Sequence, residues 1–220
     1  MKKILITGAT GFLGKVLLRK LSEKYEVYRF PFYLYVRNFR EKNFKLFDKR
    51  YDTVIHLGAR TAYTWLPWFQ SFRKLYESNV KGTEELLKNV KTKQFIYIST
   101  LAVYSDHNLS KIKPRSFYGL TKYLGELKLK KYAKKMDVLI IRLPMVYDLR
   151  EPKKETYWLV KFSFFLRFLS PILKMKKIRV ISREEAIKKL IKIIELNKKG
   201  TIDVKGYLVD LATFLNIINS

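Results

Sequence analysis

Ile4-Leu5-Ile6-Thr7-Gly8-Ala9-Thr10-Gly11-Phe12-Leu13-Gly14 reads as a short apolar strand that runs into a glycine-rich turn and opens a helix. The run Ile4-Leu5-Ile6 shows no polar alternation, as a strand covered on both faces requires. Beyond the turn, Phe12, Leu13, Val16, Leu17 and Leu21 recur at helical spacing, so the segment from Phe12 to Leu21 can pack on a sheet. Glycines at 8, 11 and 14 let backbone amides approach an anion at the positive end of that helix. Strand, Gly-x-x-Gly-x-x-Gly turn and amphipathic helix, in that order, predict a pyrophosphate-binding unit.

The same alternation continues along the chain. Glu26 to Phe30 is a second strand. Val54-Ile55-His56-Leu57 precedes a helical segment from Phe72 to Val90, and Phe95-Ile96-Tyr97-Ile98 precedes another from Tyr118 to Tyr132. Val138-Leu139-Ile140-Ile141 is a further strand. Strand and helix in turn imply an α/β fold: a Rossmann-like, doubly wound parallel sheet with helices on both faces. One stretch breaks the pattern. Phe32 to Val36 is strand-like, yet only Pro31 separates it from the second strand, too little for a parallel crossover.

Composition narrows the possibilities. A chain of 220 residues with 48% hydrophobic content holds one substantial core and a small appended lobe. The absence of cysteine removes disulfides and thiolate metal sites and points to a reducing, cytoplasmic setting. With only His56 and His107 as imidazoles, no metal site is expected. The N-terminal apolar run is interrupted by Gly8 before a signal-peptide core forms. Thr156 to Leu173 is broken by Lys161, Arg167 and Pro171 and falls short of a membrane span. The formal charge of +27 raises nucleic acid, acidic lipid and phosphorylated small molecules as partners. Its distribution is even: residues 1–110 carry 20 basic and nine acidic side chains, residues 111–220 carry 26 and ten. An even excess reads as a lysine-rich solvated surface, so no specific nucleic-acid groove is expected.

Tyr118-Gly119-Leu120-Thr121-Lys122 sets a phenol and an ammonium four residues apart, on one face of a helix. A free phenol has a pKa near 10, and an adjacent cation lowers it by stabilising the phenolate. Tyr118 can then give or take a proton near neutral pH. Tyr-x-x-x-Lys alone is a common accident in a chain with 15 tyrosines; its weight comes from company.

Thr7-Gly8-Ala9-Thr10-Gly11-Phe12-Leu13-Gly14, His56-Leu57-Gly58-Ala59, Asn79-Val80-Lys81-Gly82-Thr83, Ser99-Thr100-Leu101-Ala102-Val103-Tyr104, Tyr118 to Lys122 and Arg142-Leu143-Pro144-Met145-Val146-Tyr147 together resemble the extended short-chain dehydrogenase/reductases. That family includes nucleotide-sugar epimerases, dehydratases and reductases, and the matches keep its order over residues 1–147. The resemblance implies an NAD(P)-binding domain at 1–147 and a reduced substrate lobe at 148–220. It implies Thr100, Tyr118 and Lys122 as the catalytic group, with hydride passing between nicotinamide and a sugar carbon. For the cofactor it implies Gly8, Thr10, Gly11, Phe12, Leu13 and Gly14 at the pyrophosphate and Asn38 and Phe39 beside the adenine. Leu57, Gly58, Ala59, Asn79 and Ser99 line its path, Tyr118 and Lys122 stand at the nicotinamide ribose, and Pro144 and Met145 border the ring.

Departures from the family pattern are informative. The acidic residue usual at the end of the second strand is missing, and Arg29 stands there. Because a guanidinium pairs bidentately with a 2′-phosphate, the choice between NAD and NADP leans to NADP. Arg179 to Ala186 resembles a family segment that precedes a helix, with its histidine and aspartates replaced. Gly200 to Ile217 is read as a last strand and helix. Tyr157 to Leu169 is read as a helix buried on the main domain, with a homodimer surface, an apolar pocket or shallow insertion at an anionic membrane as alternatives; a membrane partner is not favoured. The expected activity is NAD(P)-dependent chemistry on a nucleotide sugar. The rival is a non-catalytic NAD(P)-binding sensor or scaffold, and nucleic-acid binding rests on charge alone.

Overall fold

The computed structural model describes residues 1–30, 48–61, 68–151, 174–175 and 177–219. In chain order these form β1 (Lys3–Thr7), α1 (Gly14–Ser22), β2 (Glu26–Phe30), β3 (Arg50–His56), α2 (Trp68–Tyr76), a π-helical segment (Glu77–Gly82), α3 (Thr83–Asn89) and β4 (Lys91–Thr100). A 3₁₀ turn (Leu101–Val103) leads to α4 (Phe117–Lys130), β5 (Asp137–Leu143), β6 (Met145–Tyr147), β7 (Lys177–Ser182), α5 (Arg183–Glu195), β8 (Gly200–Asp203), β9 (Tyr207–Asp210) and α6 (Leu211–Asn219). The expectations for Phe32 to Val36 and for Tyr157 to Leu169 lie outside the described residues.

Six strands form one parallel sheet in the order β2-β1-β3-β4-β5-β8, and three form a second in the order β6-β7-β9. Side chains alternate across the main sheet. Ile4, Ile6, Ile55, Ile96, Ile98, Leu139 and Ile141 face Leu17 and Leu21 of α1 and Ala186, Ile187, Leu190 and Ile194 of α5. Their neighbours Leu5, Val54, Phe95, Tyr97, Val138 and Ile140 face Leu86 and Leu87 of α3 and Leu129 of α4. Two apolar faces per strand explain why these runs carry no polar alternation, and helices on both faces make the sheet doubly wound, as expected. Leu17 is fully buried, and truncating such a side chain to alanine costs about 2–5 kcal/mol.

The chain beyond Tyr147 contributes to both sheets. β8 extends the main sheet beside β5, from Leu139 opposite Gly200 to Arg142 opposite Asp203. β9 joins the small sheet instead, antiparallel to β7. The segment read as one last strand and helix therefore holds two strands in different sheets before α6. The helix expected from Phe72 to Val90 is likewise interrupted by the π turn at Glu77–Gly82. There the Thr83 hydroxyl donates to the carbonyl of Asn79 at 2.9 Å. Among the described residues, no helix is long and apolar enough to cross a membrane.

Candidate active site

Strand order decides where a cleft opens. The chain leaves β1 towards β2 on one side and returns to β3 on the other, so the ends of β1 and β3 mark the switch point of the sheet. Gly8 and Gly58 meet there. Gly8 has φ +69°, and a Cβ on it would lie 2.7 Å from the Gly58 nitrogen. A Cβ on Gly14 would lie 2.0 Å from the Gly8 carbonyl oxygen, so the start of α1 presses directly on the turn. Thr7 ties the two strand ends: its hydroxyl oxygen accepts the Gly58 N–H at 3.0 Å.

From this turn a cleft of about 650 Å³ runs over the ends of β3 and β4. Gly8, Thr10, Gly11, Phe12, Leu13 and Gly14 line one end, Leu57 and Ala59 the middle, and Ser99, Thr100, Tyr118 and Pro144 the other. That volume lies within the range of small-molecule and cofactor sites. A dinucleotide fits it: the bare turn suits a pyrophosphate at the helix end, and the cleft leads from there to a hydroxyl and a phenol.

Tyr118 owes its place to the start of α4. Ser116 caps the helix by accepting the Gly119 N–H at 3.1 Å, which sets Tyr118 in the first turn and Lys122 one turn on. Thr100 ends β4, and its hydroxyl oxygen accepts the Ala102 N–H at 3.2 Å. That bond uses a lone pair and leaves the hydroxyl proton available to donate into the cleft.

Lys122 is not part of the lining. It is 1% exposed beneath the cleft, and burial pushes its ammonium down to about 7 while the Glu126 carboxylate works the other way. His56 is also buried, and both ring nitrogens are engaged, Nδ1 with Thr7 Oγ1 at 2.5 Å and Nε2 with Thr83 Oγ1 at 2.9 Å. Because the Thr83 hydroxyl donates to Asn79, it must accept from Nε2–H, and Nδ1 accepts from Thr7. Burial first, and the charge of Lys122 second, hold the imidazole well below its ordinary pKa. His56 is thus a neutral strut in the strand.

Asn79 acts through the backbone. Its amide exchanges bonds with Arg60, accepting its N–H at 2.8 Å and donating to its carbonyl at 2.9 Å, and donates to Thr121 at 3.2 Å. The π turn directs this side chain between the loop after β3 and α4. Gly58, Lys122, Asn79 and Met145 stand around the cleft outside its lining, while Arg29 is exposed on β2. Asn38 and Phe39 lie outside the described residues.

Several residues of the site are not singled out as lining residues from the sequence, or are given another place there. Lys15, Thr61, Ile98, Leu143, Val146 and Glu151 also line the cleft. Below it, Ser99 donates to Glu126 Oε1 at 2.5 Å, so its hydroxyl is turned away from the cleft. Arg142 donates to the same carboxylate through Nε at 3.0 Å and Nη2 at 2.6 Å. Its Nη1 donates to the Tyr104 hydroxyl at 2.6 Å, which donates to Asp203 at 2.6 Å. Burial opposes the Arg142 charge, but the bonds and charge of Glu126 outweigh it and raise the guanidinium pKa. This network joins α4, β4, β5 and β8 under the cleft. A glutamate between Gly125 and Leu127 in a lysine-rich helix gives no sequence sign of such burial.

With that geometry, the family is plain: the model of the NAD dependent epimerase/dehydratase family matches residues 4–159, and the chain belongs to that family. Among individual proteins, it is 30% identical to dTDP-D-glucose 4,6-dehydratase of Dictyostelium discoideum over 70% of this chain and 46% of that protein. It is 27% identical to an uncharacterized UDP-glucose epimerase of Bacillus subtilis over 68% of this chain and 58% of that one. The chain thus spans about half the length of these relatives. In fold it is similar to UDP-glucuronic acid 4-epimerase from Bacillus cereus, solved with UDP-glucuronic acid and NAD (TM-score 0.75, 24% identity, 98% of this chain and 82% of that one). It is similar too to dTDP-4-dehydrorhamnose reductase from Bacillus anthracis, solved with NADP (TM-score 0.74, 22% identity, 99% and 80%).

Proposed function

We propose that this chain is an NAD(P)-dependent epimerase, dehydratase or reductase of nucleotide sugars, with Thr100, Tyr118 and Lys122 as its catalytic group. The observation that carries the reading is the continuity of one cleft from the glycine turn to Thr100 and Tyr118. Bound nicotinamide dinucleotide would supply hydride exchange at the reacting sugar carbon, held by the turn at Gly8 to Gly14 and by Leu57, Ala59 and Pro144. The Thr100 hydroxyl donates to the sugar's carbonyl or alkoxide oxygen. Tyr118 takes or returns that oxygen's proton, and Lys122 stabilises the phenolate and holds the ribose hydroxyls.

Family membership and neighbours that hold UDP-glucuronic acid with NAD support both the cofactor and the substrate class. Residues 1–147 would hold the cofactor and 148–220 the substrate, in a cytoplasmic enzyme that pairs as a homodimer. Arg29 favours NADP through its reach for a 2′-phosphate; dissociation constants for NADH and NADPH test this, and preference for NADH removes it.

The deciding experiment is Tyr118→Phe assayed on UDP- and dTDP-sugars with either cofactor. A fall in turnover of about 10²-fold or more is expected from loss of the proton-transfer group. Near-normal turnover in the variant would end the assignment. The reduced length relative to its relatives keeps a second reading in view, a sensor or scaffold. Tight cofactor binding without turnover on the whole panel selects that reading.

A further inference from the structure

Lys122 Nζ sits 3.9 Å from the centroid of the Tyr97 ring. Tyr97 belongs to β4, two residues before Ser99, and is fully buried. Four polar groups gather here: Glu126 from α4 itself, His56 from β3 and Tyr97 from β4 act directly with the ammonium, and Tyr118 acts on Tyr97. Three of them are otherwise committed or belong to the cleft. Both oxygens of Glu126 are held by Arg142 and Ser99, His56 is neutral and bonded to Thr7 and Thr83, and Tyr118 lines the cleft. The face of an aromatic ring attracts a cation through its quadrupole, most strongly where water is excluded.

Keeping a tyrosine here is costly. Its hydroxyl is fully buried, with Thr83 beside it and no hydrogen bond of normal geometry. The same oxygen would lie 2.4 Å from a Cβ at position 125, where the helix carries Gly125. An aliphatic residue would avoid burying that hydroxyl and would relieve its close approach to position 125, but it would offer the ammonium no ring.

We propose that Tyr97 is a positioning residue for Lys122, its ring holding the ammonium charged and aimed beneath the cleft. This rests on the reading of Lys122 as the partner of Tyr118. It adds a fourth member to the group, acting through Lys122 and never touching substrate. The hydroxyl of Tyr97 has no part in it. The near-neutral position of Lys122 then reflects a balance, with burial driving the proton off and the ring and Glu126 retaining it.

The test is the titration of Lys122 itself, followed by the ¹³Cε resonance of lysine in the full chain without added nucleotide and assigned with Lys122→Met. Tyr97→Leu is expected to lower the Lys122 pKa by about one unit or more, the size of a desolvated cation–ring contact. Tyr97→Phe is expected to leave it within about half a unit, because the ring stays. Should the leucine variant fail to fold, fluorinated phenylalanines at position 97 keep the shape while draining the negative ring face. A stepwise fall in pKa with added fluorine is then expected. An unmoved or raised pKa in the leucine variant or across the fluorine series overturns the proposal, as does a phenylalanine variant that shifts as far as leucine. Turnover of Lys122→Met separates the two readings. If it is near normal, the catalytic role fails whatever Tyr97 does; if it is lost while Tyr97→Leu leaves the Lys122 pKa in place, only the positioning role fails.

Discussion

Glu126→Ala probes the network beneath the cleft most directly. The substitution removes the acceptor of two Arg142 bonds, at 3.0 and 2.6 Å, and of the Ser99 bond at 2.5 Å. It leaves a guanidinium that is 6% exposed with the Tyr104 hydroxyl at 2.6 Å and Asp203 at 3.6 Å. Removing one partner of a buried pair costs about 3–5 kcal/mol, because the other charge stays buried without compensation. Asp203 recovers part of that, which places the expected loss near the lower bound, about 3 kcal/mol. For a chain of this size the melting temperature should fall by roughly 6–12 °C. Urea unfolding measures the free energy, and Arg142→Met in the same background provides the control. With the orphan charge removed, the double variant should regain most of the loss. A single variant that loses under about 1 kcal/mol, or a double variant as unstable as the sum of the singles, would refute the view that this pair is a buried, mutually dependent unit.

Three further outcomes are expected. Gly8→Ala combines a left-handed backbone with a Cβ 2.7 Å from Gly58, so the variant should lose both stability and nucleotide affinity, read by thermal melting and by cofactor titration; unchanged affinity would contradict the placement of the turn. Leu17→Ala, away from the cleft, should cost about 2–5 kcal/mol in urea unfolding while the cofactor dissociation constant of the folded fraction stays within a few-fold. Lys122 has its folded pKa depressed from 10.5 to about 7, so between those values the unfolded chain binds the extra proton and stability rises with pH. Relative to Lys122→Met, the wild-type chain should gain about 1.4 kcal/mol per pH unit across that window and show no difference in slope below it. No difference in slope across that window, or one of opposite sign appearing only above pH 10.5, would mean that Lys122 is held charged by partners rather than depleted by burial.

Much of this architecture is local in origin and therefore legible along the chain. Runs such as Ile4-Leu5-Ile6 and Val138-Leu139-Ile140-Ile141 announce strands buried on two faces because each consecutive residue meets an apolar layer. The turn at Gly8 to Gly14 is legible because only glycine tolerates the close approach of strand, loop and helix at that point. Thr100 and Tyr118 reach one cleft because each sits at the start of a capped turn that follows from a few neighbouring residues.

What the tertiary structure alone decided depends on long-range partners. Arg142 finds Glu126 across 16 residues, and Tyr104 finds Asp203 across 99; no periodicity marks either pair, because a charged residue reads as solvated until its burial is seen. Strand choice was equally hidden: β8 enters the main sheet and β9 the small one although both are short and adjacent. The ring of Tyr97 under Lys122 belongs to the same category, since β4 and α4 are brought face to face only when the sheet is covered. Sequence determines the period of each element and the shape of each turn. The charges and rings that meet under the cleft are selected by packing, which alone removes the water that would otherwise screen them.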